Sequence, residues 1–82
     1  MSRPRKSVAE IEALLLDDVR RQRHCDKVAH VGIRLCPPDE DSNGANWTVA
    51  VVDNGQCSRE FAGAAVLVAM DRLQREFDAI AE

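Results

Sequence analysis

The sequence predicts an α+β domain of order α-β-β-α, with two helices packed on one face of a two-stranded antiparallel sheet. Three observations predict it. Apolar residues recur at helical spacing near the start, at a period of two through the middle, and at helical spacing again to the end. Turn-forming stretches, Cys36-Pro37-Pro38 through Gly44 and Asp53-Asn54-Gly55, separate the central runs. A chain of 82 residues that is 45% apolar has material for one compact domain with a thin core.

Residues 1–6, with Arg3, Arg5 and Lys6, read as a disordered basic arm ahead of a single domain over 7–82. Ser7-Val8-Ala9-Glu10 is a capping box, and Val8, Ile11, Leu15 and Val19 follow on one helical face with Leu14 widening the stripe. That helix should span about residues 8–22 and end in Arg20, Arg21, Arg23 and His24, cations that suit the carbonyl end of its dipole.

From Lys27 the period becomes two. Ala29, Val31, Ile33 and Leu35 face one way and Val28, His30, Gly32 and Arg34 the other, until the prolines stop the strand. Asp39 to Gly44 forms a polar turn. The second strand, Asn46 to Val52, puts Trp47, Val49 and Val51 on the core face and Thr48, Ala50 and Val52 on the opposite one. Ser58 is the expected cap of a last helix running from about 59 to the end, with the stripe Ala62, Ala65, Ala69, Leu73, Phe77 and Ile80. Between Phe61 and Met70 this helix is apolar all round, so one sheet face does not cover it.

Two strands leave two open edges. Together with the excess apolar surface of residues 61–70, they point to a symmetric homodimer, which pairing of the edges would complete to four strands. The candidate interface residues are Thr48, Ala50, Val52, Phe61, Leu67 and Met70.

Charge narrows the function classes. The chain carries −3 overall, but residues 1–36 hold eight Lys/Arg against five Asp/Glu, and residues 37–82 three against nine. An acidic whole disfavours a general nucleic-acid binder, which needs a positive field to displace counterions. The alternative, RNA binding, would use Arg3, Arg5, Lys6, Arg20, Arg21, Arg23 and Lys27. The longest apolar run is ten residues, short of a membrane span, and the basic start leads into Ser-Val-Ala-Glu rather than a signal sequence. Three cysteines cannot all pair within one chain, which fits a reducing compartment, so a cytoplasmic location is expected.

Catalytic and metal-binding patterns are weak. Asp39-x-Asp41-x-Asn43-Gly44 looks like half a calcium loop, but its twelfth position is Ala50, not a bidentate Glu. His24, Cys25, His30, Cys36 and Cys57 include no local zinc hook, and His30 and Cys36 lie about 20 Å apart along an extended strand. Cys57 precedes a helix, where the dipole favours a thiolate, yet so small a domain has little room for a pocket. The expectation is therefore no enzyme, no cofactor and no metal.

Two resemblances follow from the residues. The helix–strands–helix order with Ser58-Arg59-Glu60-Phe61-Ala62-Gly63-Ala64-Ala65 is similar to a double-stranded-RNA-binding domain, a family with three strands and a lysine-rich start to its second helix. Over most of its length, the chain more closely resembles small α-β-β-α proteins of alphaproteobacteria with no assigned activity. The Met1-Ser2-Arg3-Pro4-Arg5 start and the Asn46-Trp47-Thr48-Val49-Ala50 strand carry this likeness. It implies a bacterial protein that brings no catalytic residues. The sequence thus reads as a non-enzymatic, homodimeric protein-interaction module.

Overall fold

Ser7 sets the first helix. Its hydroxyl accepts the Glu10 amide proton at 3.1 Å and donates to the Glu10 carboxylate at 3.2 Å, which closes the N-terminal turn. The computed structural model describes residues 4–22 and 26–80, and of Asp41 only the backbone. Arg3, Arg23, His24 and Cys25 therefore lie outside the described residues.

The described elements are β1 (Arg5–Ser7), α1 (Val8–Arg21), β2 (His30–Leu35), a 3₁₀ turn (Glu40–Ser42), β3 (Trp47–Asp53), α2 (Arg59–Glu76) and β4 (Asp78–Ile80). The fold is α+β, with two helices and the antiparallel pair β2–β3 as expected. A second, parallel pair, β1–β4, is additional. No described helix is long and apolar enough to cross a membrane.

The parallel pair corrects both ends of the sequence reading. Arg5 and Lys6, expected in a disordered arm, lie beside Asp78 and Ala79, and the Asp78 amide donates to the Pro4 carbonyl at 3.0 Å. The last helix stops at Glu76 instead of continuing to the end, so Phe77 and Ile80 are not part of its stripe. The reason lies in competing partners. The Asn46 side-chain amide binds both the N–H (2.7 Å) and the carbonyl (2.8 Å) of Ala79, as a neighbouring strand would, and Trp47 Nε1 donates to the Phe77 carbonyl at 3.0 Å. These three hydrogen bonds are available only to an extended chain after Glu76.

A register shift corrects the second strand. Ile33 opposes Val49 and Gly32 opposes Val51, which leaves Ala50 as the extra residue of a β-bulge. Beyond the bulge the alternation inverts. Val52 pairs with buried Val31, while Val51 turns outward and is 58% exposed, the reverse of the faces expected for the two valines. Val28, expected on the open face, is buried ahead of β2, which begins only at His30.

The core gathers Ile11, Leu15 and Val19 of α1, Val31 of β2, Trp47 of β3, and Ala62, Ala65, Val66, Ala69 and Leu73 of α2. Trp47 is fully buried, as expected from its parity with Val49 and Val51, although Val51 itself faces outward. Leu14 does not widen the buried stripe but sits at the surface. Gln74 is also fully buried. It donates to the Trp47 carbonyl at 2.8 Å and accepts from Asn43 at 3.1 Å, so its amide pays its desolvation with two hydrogen bonds. An Asp18–Arg72 ion pair adds a link between α1 and α2.

Candidate interaction surface

The two edges of the antiparallel pair are treated differently. Along β2, Glu12 of α1 accepts the Ile33 amide proton at 2.9 Å, and just before the strand Arg20 Nε donates to the Val28 carbonyl at 2.9 Å. A carboxylate on a strand amide occupies a group that an incoming strand would need. The start of β3 is held by Gln74 and Asn46. From Val49 to Val52, among the described residues, β3 is hydrogen-bonded only to β2. That open stretch is short, and the bulge at Ala50 interrupts it.

Beside the open stretch lies a groove of about 360 Å³ between β3 and α2. Val49, Val52, Gly63, Val66, Leu67 and Met70 line it, with Thr48 at one end donating to the Met70 sulfur at 3.7 Å. The helical period explains the lining. Ala62, Ala65, Val66 and Ala69 turn to the core, which leaves Gly63 and Leu67 one turn apart on the groove side and Ala64 and Val68 one turn apart further out. Leu67 and Val68 are about three-fifths exposed, at 62% and 60%.

Of the interface candidates, Thr48, Val52, Leu67 and Met70 meet at this groove. Ala50 is the exposed bulge residue nearby, and Phe61, about half exposed, projects from a different flank of α2. Val49, Gly63 and Val66 belong to the groove but were not expected there. The signal for Gly63 was a glycine inside a helical pattern.

The other features fold inward on themselves. Asp39 accepts the Ser42 amide proton, Ser42 donates to the Ala45 carbonyl at 2.7 Å, and Asn43, in the left-handed region (φ 56), donates to Asp71 and Gln74. In the half calcium loop, Asp39, Ser42 and Asn43 thus bind groups of the fold itself. Cys57 is buried in the Asn54 turn, where Asn54 donates to its carbonyl at 2.8 Å. Among the described residues no three His, Cys, Asp or Glu side chains converge to hold a metal ion.

Of the basic cluster, Arg20 binds the Val28 carbonyl, Arg21 pairs with Asp17 at 2.9 Å, and Lys27 is exposed. Of these three, Arg21 is the one paired with a carboxylate among the described residues. Two further hollows carry charged groups: one lies between the helices, where Asp17, Asp18, Arg21 and Arg72 mix with Leu14, Leu73 and Phe77, and the other, mainly polar, lies around Arg34, Cys36 and Asp39.

No family model, curated protein or solved structure matches the chain.

Proposed function

We propose that the protein is a small, non-enzymatic interaction module whose working surface is the groove between β3 and α2 together with the outer face of α2. One observation carries the reading. Large aliphatic side chains stand exposed on two successive positions of a helix, beside a groove that is itself apolar. Contiguous exposed apolar surface of this kind characterises binding sites, whereas scattered exposed leucines do not. The bulge next to the groove supports it, because bulges concentrate where a strand edge is used or interrupted. A cytoplasmic setting accords with the odd cysteine count, and the likeness to alphaproteobacterial α-β-β-α proteins accords with a bacterial protein without catalytic residues.

Amide chemical-shift mapping of labelled protein tests the reading. A concentration series should move resonances of residues 49–52 and 63–70 and leave Arg20, Arg21 and Lys27 still. Large shifts at those basic residues on adding RNA at ~150 mM salt would replace this reading with nucleic-acid binding.

A further inference from the structure

We infer that residues 77–80 form a two-state strap, latched in extended form by the Asn46 side chain and continuing α2 as helix when the latch opens. The strap is separate from the groove, so either can fail without the other.

Helix α2 has no stop of its own. Helices end locally at a glycine in the left-handed region or ahead of a proline. Residues 76–80, Glu-Phe-Asp-Ala-Ile, contain neither, and Phe77 leaves the helix in ordinary extended backbone at φ −134 and ψ 147. Helical spacing also runs on past the break, because Leu73, Phe77 and Ile80 fall within about 60° of one another around a helix axis. The extended strap leaves Ile80 44% exposed. Where local pattern and tertiary contacts disagree in this way, a second conformation lies within reach, and such conflicts concentrate at working parts of a fold.

The tertiary hold comes from few groups. Asn46 accepts the Ala79 amide proton at 2.7 Å and donates to the Ala79 carbonyl at 2.8 Å, so one half-buried side chain stands in for a neighbouring strand. Trp47 Nε1 donates to the Phe77 carbonyl and the Asp78 amide to the Pro4 carbonyl, each at 3.0 Å. On its other side β4 pairs with β1, a strand of three residues.

Release leaves the strap's own amides with partners. In a continued helix the Asp78 amide passes from the Pro4 carbonyl to that of Gln74, and the Ala79 amide from Asn46 to the Arg75 carbonyl. Both carbonyls belong to the last turn of α2, where a helix lacks internal donors for them. Release also frees β1, which has no other strand partner among the described residues, while the Ser7 cap is a local contact with Glu10 and stays. One opening thus unpairs both ends of the domain together and uncovers the Asn46 amide and the Trp47 indole N–H.

Native-state hydrogen exchange read by NMR tests this. In wild type the Ala79 amide should exchange at least ~10-fold faster than those of Leu15 and Val31, through a local opening whose rate low urea barely changes. Asn46→Ala removes two hydrogen bonds and should speed Ala79 exchange at least ~10-fold again. The Cα resonances of residues 77–80 should move from extended toward helical values in the same variant. Asn46→Asp keeps the acceptor and loses the donor, and it gives the same comparison if circular dichroism shows that Asn46→Ala does not fold. An Ala79 amide that exchanges with the core, at the urea dependence of global unfolding, overturns the local opening. Unchanged Ala79 exchange in the Asn46 variants overturns the latch, and random-coil Cα values for residues 77–80 overturn the helical state.

Discussion

The two helices use their apolar residues in opposite ways. In α1 the large side chains Ile11, Leu15 and Val19 are fully buried, and most of the remaining face is charged. In α2 half of the buried residues are alanines, Ala62, Ala65 and Ala69, beside Val66, Leu73 and Gln74, while Leu67 and Val68 point outward. Size alone would put the leucine inside and the alanines at the surface. Packing decides otherwise: the bulky Trp47 and the α1 side chains already fill the space under α2, so the helix has to lie close and present small residues. The difference separates a helix that leaves mainly Leu14 exposed among its large apolar side chains from one that leaves Phe61, Leu67 and Val68 at the surface.

Trp47 is the common filler for both helices, and its removal gives the largest expected effect. Trp47→Ala should cost about 3–5 kcal/mol in urea denaturation, a large part of a small domain's stability. The side chain is fully buried, and its indole donates to the Phe77 carbonyl. Red-shifted, readily quenched native fluorescence would contradict this placement.

The contrast between the helices is then sharpened by one pair of variants. Leu15→Ala in α1 should destabilise the domain by about 2–5 kcal/mol. Leu67→Ala in α2 should change monomer stability by no more than about 0.5 kcal/mol while weakening self-association. Equal losses from the two would mean that Leu67 belongs to the core after all.

Gln74 comes next. Its amide joins the polar turn, through Asn43, to the Trp47 carbonyl in a site with no water access. Gln74→Leu retains bulk but leaves that carbonyl without a donor, so a cost of about 1–3 kcal/mol is expected from thermal or urea unfolding. A stability equal to wild type would show that the β3–α2 contact does not depend on this link.

What the sequence showed, and what it concealed, follows from the range of the interactions. The start of α1 was legible to the residue because a capping box is a local device, as was Trp47's burial, because period-two alternation is local up to Ala50. The bulge was not legible: Val49 to Val52 are all apolar and so fix no face, and the extra residue exists only relative to β2. The strands β1 and β4 are three residues each and carry no alternation, and their partners lie at opposite ends of the chain. The apolar-all-round run of α2 showed that the helix carries more apolar residues than one face can bury. It could not say which of its residues would face outward, because that depends on how close the helix lies to Trp47.

The smallest expected effect compares the two helix starts, which look alike in the sequence. Ser7 and Ser58 both precede a helix with a glutamate in the first turn. Only the Ser7 side chain accepts a hydrogen bond from its helix, at the Glu10 amide. The Ser58 side chain makes no capping bond, and its carbonyl instead receives the Ala62 amide at 2.9 Å, a backbone bond that survives any substitution there. Ser7→Ala should therefore cost about 1 kcal/mol, the usual value of a lost N-cap, whereas Ser58→Ala should stay within a few tenths. Urea midpoints at constant slope measure both. Equal losses would mean that Ser58 caps α2 in solution and that the two helices begin by the same device. Unequal losses would carry the contrast between them down to their first turns, with α1 fixed locally by its own residues and α2 held chiefly by what packs around it.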